Sequence, residues 1–178
     1  MRSVALLVIV ASSAAFALVE CDCDPARPES MAPRQCGLCR EAEKHAEGEI
    51  FFLKDINPRK PNRMLALPRM HGAAHHAFPG LPPEVRTRLW TAAIEKARSL
   101  WGEQWALAMN GDEVRTQCHS HIHIGKFIEG VETENFVVVE RPDQIPAPAD
   151  GTGLWVHPVN GKLHVHLDEQ ITETVLMR

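Results

Sequence analysis

The stretch that decides the fold is Arg115-Thr116-Gln117-Cys118-His119-Ser120-His121-Ile122-His123-Ile124. Side chains alternate between the two faces of a β-strand, so a strand here places three histidines on one face, about 6.6–7 Å apart. The cysteine, serine and isoleucine side chains then point the other way, toward a core. Three adjacent imidazoles are costly to bury unless each ring nitrogen has a partner. The pattern therefore predicts a strand over residues 117–125 with a chemical role, and a solvated histidine-rich strand is the alternative.

The sequence around this strand predicts one α+β domain. The chain has 178 residues, of which 44% are hydrophobic, and this is ordinary for a single packed domain. A formal net charge of -4 gives no long-range attraction to nucleic acid, which we exclude as a partner. We expect strands at residues 49–53, 64–67, 105–109 and 136–139, the last of them buried, a helix between Pro82-Pro83 and Gly102, and a C-terminal β-hairpin that turns at Asn160-Gly161.

The N-terminus is typical of an export signal. Arg2 precedes an apolar run over residues 4–11, and Ala15-Phe16-Ala17 has the small-residue pattern of a cleavage site. We expect cleavage after Ala17 and a periplasmic or secreted protein, with an uncleaved membrane anchor as the alternative. The predicted organisation is a signal peptide at residues 1–17, a flexible arm at 18–34, a catalytic domain at 35–141, a proline-rich linker at 142–152 and a C-terminal hairpin and tail at 153–178.

Five cysteines and ten histidines, with no tyrosine, shift the polar composition toward metal ligands. Five cysteines cannot all pair within one chain. The motif Cys36-Gly37-Leu38-Cys39 leaves three possibilities open: a redox dithiol, a disulfide, or half of a zinc site. We expect His164 and His166 on one solvated face of the hairpin, with metal binding as the alternative, and His75 and His76 on the surface.

These motifs, in this order, resemble the histidine-triad (HIT) superfamily, whose signature alternates three histidines with apolar residues. The resemblance runs from about Cys36 to Val139 and includes residues 51–58 and 64–71. Ser120 departs from the signature, and Arg63 replaces a histidine that many members carry. One branch is more similar: Arg115-Thr116-Gln117, followed after three residues by His121-Ile122-His123-Ile124, resembles the motif of bacterial CDP-diacylglycerol diphosphatases. The resemblance implies a HIT-like fold, an antiparallel sheet with flanking helices.

The same resemblance implies a hydrolase that splits a nucleotide phosphoanhydride through a nucleotidyl-histidine intermediate. The expected substrate is CDP-diacylglycerol, cleaved with water to CMP and phosphatidate; dinucleoside polyphosphates and AMP-linked compounds are the alternatives. A homodimer and association with a membrane surface are left open. No catalytic cofactor is implied. The implied residues are His121, His123 and Thr116 for catalysis, Arg115, Gln117, Asn110 and Arg63 for substrate binding, and Cys36, Cys39, His71 and His119 for a structural zinc ion.

Two other classes of protein stay open. A secreted metal-binding protein would use the strand histidines as ligands and show no turnover. A redox protein would use the C-x-x-C motif, but a strand does not precede that motif as it does in thioredoxin-like proteins. We favour the enzyme because it accounts for five separated motifs together.

Overall fold

The computed structural model of the chain describes residues 20–70, 76–148 and 151–178. The predicted signal peptide, His71 and His75 lie outside these residues. The strands are β1 (Ile50–Lys54), β2 (Met64–Pro68), β3 (Trp105–Met109), β4 (Ile122–Lys126), β5 (Phe136–Val139), β6 (Gly153–Val159) and β7 (Lys162–Glu169). The α-helices are α1 (Gly37–Ala42) and α2 (Pro83–Trp101), and short 3₁₀ helices lie at Pro28–Met31, Arg34–Cys36, Phe78–Gly80, Pro142–Gln144 and Glu173–Val175.

The fold is α+β, as predicted. Its centre is one sheet of seven strands in the order β1-β2-β4-β3-β6-β7-β5, and every pair of neighbours is antiparallel. Helix α2 starts with Pro83 in its first turn, where a missing N–H is harmless. Leu89, Ala93 and Ala97 lie on one face of the helix and are fully buried. This face and one face of the sheet form the main core.

The histidine-rich strand is shorter than predicted. Strand β4 starts only at Ile122, so His123 is the one triad histidine within it. The preceding residues bond elsewhere: the Cys118 N–H donates to the Gln35 carbonyl over 2.8 Å, and the Arg115 N–H donates to the Gly111 carbonyl. Because one local turn and one long-range bond replace a sheet ladder here, the loop and not strand alternation positions His119 and His121.

The C-terminal hairpin is confirmed, and it is part of the main sheet. Asn160 and Gly161 both have positive φ angles, 50° and 79°, as the predicted tight turn requires. Strand β6 pairs with β3, and β7 pairs with β5, which makes β5 an edge strand. The prediction that β5 is buried is wrong for this reason: Phe136 and Val138 are 38% and 48% exposed.

The N-terminal arm, predicted to be flexible, is cross-linked to the loop before β4 and to the 3₁₀ helix at Arg34–Cys36. Disulfides join Cys21 to Cys118 and Cys23 to Cys36, and Met31 is buried beside them. Two disulfides are typical of an exported protein in an oxidising environment. Among the described residues, we find no helix with the length and apolar character needed to span a membrane.

Candidate functional site

A cleft of about 920 Å³ opens on the face of the sheet opposite α2. Its walls come from α1, the turn after β1, the loop before β4 and the C-terminal 3₁₀ helix. All but one of the residues predicted for catalysis and substrate binding line it, namely His121, His123, Thr116, Arg115, Gln117 and Asn110. The structure therefore brings these residues together although β4 is shorter than expected.

One backbone contact sets the tautomer of His121. Its Nδ1 lies 2.7 Å from the carbonyl oxygen of His119, and a carbonyl can only accept a hydrogen bond. Nδ1 therefore carries the proton, and Nε2 carries the lone pair. Burial lowers the pKa of His121, and the cationic Arg115 adds to this effect. At pH 7 the ring is a neutral imidazole with Nε2 in the nucleophilic form.

His123 lies beside His121, with the ring centroids 4.9 Å apart. It is 8% exposed, and neither ring nitrogen has a hydrogen-bond partner among the described residues. Burial lowers the pKa of His123 well below its usual value, and His121, Lys60 and Arg63 lower it further. The neutral ring has polar atoms left to contact a ligand in the cleft.

The carboxylate of Glu173, which the sequence did not indicate, lies close to His123. Glu173 lines the cleft, and its Oε2 lies 3.8 Å from Nδ1 of His123. The same oxygen accepts hydrogen bonds from Lys60 and, over 2.8 Å, from Arg63. No local motif surrounds Glu173, and 50 residues separate it from His123 in the sequence, so only the folded chain reveals the pairing.

Arg63 lies behind the cleft rather than in its lining. Its guanidinium is 3% exposed and donates to the backbone carbonyls of Glu173, Leu176 and Met177 as well as to the Glu173 carboxylate. The residue expected to bind substrate thus fastens the C-terminal segment to the sheet. Its charge lowers the pKa of His123, and its hydrogen bond holds the Glu173 carboxylate in place.

Three further predicted residues use part of their bonding capacity to shape the cleft. The Asn110 Oδ1 accepts from the backbone N–H of Thr172 and Glu173. The Gln117 amide accepts from the Leu38 N–H and donates to the Arg34 carbonyl. Arg115 donates to the backbone carbonyl of His76 and forms an ion pair with Asp112. Thr116, in contrast, is exposed on the cleft wall.

The cleft has a local excess of positive charge although the chain as a whole is acidic. Three acidic residues line it, Glu41, Asp55 and Glu173. The cationic residues in its walls are five: Arg34, Arg40, Lys54, Lys60 and Arg115. Such a surface favours an anionic ligand.

The cysteines form a buried cluster near the cleft, and Cys36 and Cys39 are not paired with each other. Cys36 is bonded to Cys23, and Cys39 is a free thiol whose pKa burial raises to about 11. The Sγ atoms of Cys23 and Cys39 and a ring nitrogen of His76 lie within 4.8 Å of one another, a grouping that could hold a metal ion once Cys23 is released from its disulfide.

The predicted zinc set does not fit this disulfide form. Cys36 has no thiolate to offer while it is bonded to Cys23, and His71 lies outside the described residues. His119 is fully buried, with its Nδ1 2.9 Å from the Ser120 carbonyl oxygen. His76, expected on the surface, is 4% exposed.

A second histidine cluster lies on the hairpin. His157 and His166 are 2% and 0% exposed, so the predicted solvated face is wrong for His166. Burial lowers the pKa of both rings to about 4, which leaves them neutral at pH 7. Ligand atoms of these two residues and of His164 lie within 4.8 Å of one another.

A scan of protein-family models finds none that matches the chain. A search of curated proteins finds no match either.

Proposed function

We propose that the protein is a HIT-type hydrolase that splits a nucleotide phosphoanhydride with His121 as the nucleophile. The observation that carries the proposal is the hydrogen bond from His121 Nδ1 to the His119 carbonyl, in a cleft lined by five cationic side chains. The bond leaves the Nε2 lone pair for attack, and the cations favour the phosphates that this nucleophile would meet.

In the first step, His121 Nε2 forms a bond to the phosphorus that carries the nucleoside. The bond from that phosphorus to the bridging oxygen breaks, and the second phosphate group leaves with the electron pair. The ring becomes positively charged, and the His119 carbonyl stabilises this charge because it accepts the Nδ1 proton's hydrogen bond.

In the second step, water attacks the same phosphorus and the nitrogen–phosphorus bond breaks. The electron pair returns to Nε2, the nucleoside monophosphate leaves, and the water proton passes to solvent. His123 supplies a ring nitrogen near the phosphoryl oxygens, and Lys60, paired with Glu173, supplies positive charge. Thr116 is an exposed hydroxyl on the same wall that can donate to phosphate or leaving group.

The proposed substrate is CDP-diacylglycerol, with CMP and phosphatidate as products. Besides the resemblance of residues 115–124, apolar side chains on the cleft support a lipid: Leu38 and Leu53 line it, and Ile56 is 98% exposed at the same site. An exposed isoleucine gives an acyl chain or a membrane surface something to contact. We place the protein in the periplasm or outside the cell, at a membrane surface.

A structural zinc belongs to this proposal only for the reduced chain. Zinc needs thiolates, and cleavage of the Cys23–Cys36 bond would supply them beside Cys39. The oxidised protein is therefore expected to hold no zinc at its cysteines, and no step of the reaction above requires the ion.

The test compares hydrolysis of CDP-diacylglycerol in mixed micelles with that of diadenosine polyphosphates and AMP-linked amines. We expect release of CMP from the lipid substrate, and a fall of about 10⁴-fold or more in His121→Ala, the size seen when a catalytic nucleophile is removed. His45→Ala is the control, because His45 is not in the cleft lining. Preference for the adenine substrates would contradict the lipid assignment, and turnover retained by His121→Ala would contradict the mechanism.

A further inference from the structure

The hairpin histidines point their ring nitrogens at one another. His157 and His164 are directly paired across β6 and β7, and His166 follows on the same face two residues later. Nε2 of His166 lies 3.3 Å from Nε2 of His157, which lies 3.2 Å from the Glu132 Oε1. Ligands 2.0–2.1 Å from a tetrahedral zinc ion are about 3.3 Å apart. Each of these two distances is that of neighbouring ligands of one ion, and ligand atoms of His157, His164 and His166 all lie within 4.8 Å of one another.

A chain of hydrogen bonds sets the tautomer of His166 in the form that a ligand needs. The Thr133 hydroxyl donates to Oε1 of Glu169 over 3.2 Å, and Trp155 Nε1 donates to the same oxygen. The hydroxyl proton is thus used, and Thr133 accepts from Nδ1 of His166 over 2.9 Å. Nε2 of His166 carries the lone pair, and it faces His157. Metal-binding histidines usually have such an outer partner on the second ring nitrogen.

His164 supplies the remaining imidazole. Its Nδ1 is buried, with no hydrogen-bond partner among the described residues. A buried polar atom without a partner is destabilising, and an ion bound at the cluster would provide one.

Each imidazole is also held in place by an aromatic ring. His166 stacks on Trp155 with centroids 3.6 Å apart, and Phe127 and Phe136 stack on His157 and His164, each at 4.6 Å. Rings packed in this way lose little rotational freedom on binding an ion.

We propose that His157, His164, His166 and Glu132 form a binding site for a zinc-type divalent transition-metal ion. The three imidazoles are grouped around one point, and Glu132, 48% exposed and next to His157, can turn toward the ion as the fourth ligand. Imidazole suits zinc and its neighbours in the first transition row. The ion joins the loop before β5 to the β6/β7 hairpin and so secures the edge of the sheet.

This site is separate from the proposed catalytic one. His123, Ala108, Trp155 and His166 are successive neighbours across β4, β3, β6 and β7. Three strand spacings separate the two histidines, or about 14 Å. The ion contributes to structure and takes no part in phosphoryl transfer.

The experiment titrates Zn²⁺ into the full oxidised chain by calorimetry. We expect one ion per chain, with binding lost in His166→Ala and His164→Ala and unchanged in His45→Ala and Cys39→Ser. Thr133→Val changes an exposed side chain and no ligand, and it should weaken binding by about 10–100-fold, as loss of an outer partner does. Circular dichroism on each variant confirms that it is folded.

Co²⁺ then identifies the ligands. A visible d–d band without a thiolate-to-cobalt charge-transfer band supports the histidine site. Three results would overturn it: no Zn²⁺ binding by folded wild-type protein, a thiolate band that disappears in Cys39→Ser, or unchanged affinity in both His164→Ala and Thr133→Val.

Discussion

The histidines of the cleft and those of the hairpin have different surroundings. In the cleft, His121 donates from Nδ1 to a backbone carbonyl and shares the cleft with five cationic side chains. On the hairpin, the Nε2 atoms of His157 and His166 lie 3.3 Å apart, and both rings pack on aromatic rings. Both groups occupy the same face of one sheet. The cleft isolates a lone pair next to a volume that an anion can fill, and the hairpin directs several ring nitrogens at one point. The partner of the second ring nitrogen and the sign of the surrounding charge therefore decide what a buried histidine can do.

The two regions also differ in their covalent cross-links, because a disulfide ends beside the cleft and none ends on the hairpin. The largest expected effect comes from removing that disulfide. The Cys21–Cys118 disulfide spans 97 residues and ends next to His119. Its removal in Cys21→Ser/Cys118→Ser should lower the free energy of unfolding by about 4–5 kcal/mol, because the unfolded chain regains the freedom of a long loop. Urea unfolding measures the loss.

The same double variant should also lose activity while it keeps Zn²⁺ affinity at the hairpin, because only the cleft depends on this cross-link. Cys23→Ser/Cys36→Ser, which opens a 13-residue separation, is the comparison, with an expected loss of about 3 kcal/mol. Equal unfolding free energies in wild type and both variants would contradict this account.

The smallest expected effect is on the pH dependence of kcat/KM. Burial and Arg115 lower the pKa of His121, while the hydrogen bond to the His119 carbonyl, and then Glu173 and Asp55, oppose them. Because the pKa is lowered, more than half of the rings keep Nε2 unprotonated at the usual histidine value of pH 6.5, so kcat/KM should fall to half of its maximum only below that pH. A pH profile of kcat/KM checks this, and a half-maximal value at or above pH 6.5 would show that the ring is not desolvated.

The parts of the fold that depend on local pattern could be predicted from the sequence. Strand β3 and the Asn160-Gly161 turn are where the pattern placed them, and α2 lies between Pro82 and Gly102. The histidine strand was overestimated because Cys118 bonds to residues about 80 to 100 positions earlier, Gln35 and Cys21. Alternation in a single segment contains no information about such contacts.

In the candidate site too, residues within local motifs could be predicted and residues placed by long-range contacts could not. Six cleft residues were predicted from motifs, and the structure places them together. Glu173 and the true position of Arg63 were missed because both depend on the C-terminal segment folding back over the sheet. The cysteine pairing was missed for a related reason. The C-x-x-C spacing favours a local pair or a metal ion, whereas the actual partner of Cys36 is Cys23. Cys23 belongs to the arm that the sequence predicted to be flexible.

The most direct test of the central claim is to trap the intermediate. Rapid mixing of the protein with CDP-diacylglycerol, followed by quenching and peptide mass spectrometry, should find a cytidylyl group on the peptide that contains residues 115–126, attached to His121. His121→Ala should show no adduct, and His45→Ala should show the wild-type amount. A nucleotidyl group on any other residue, or CMP release with no adduct at any mixing time and full activity in His121→Ala, would contradict nucleophilic catalysis by His121.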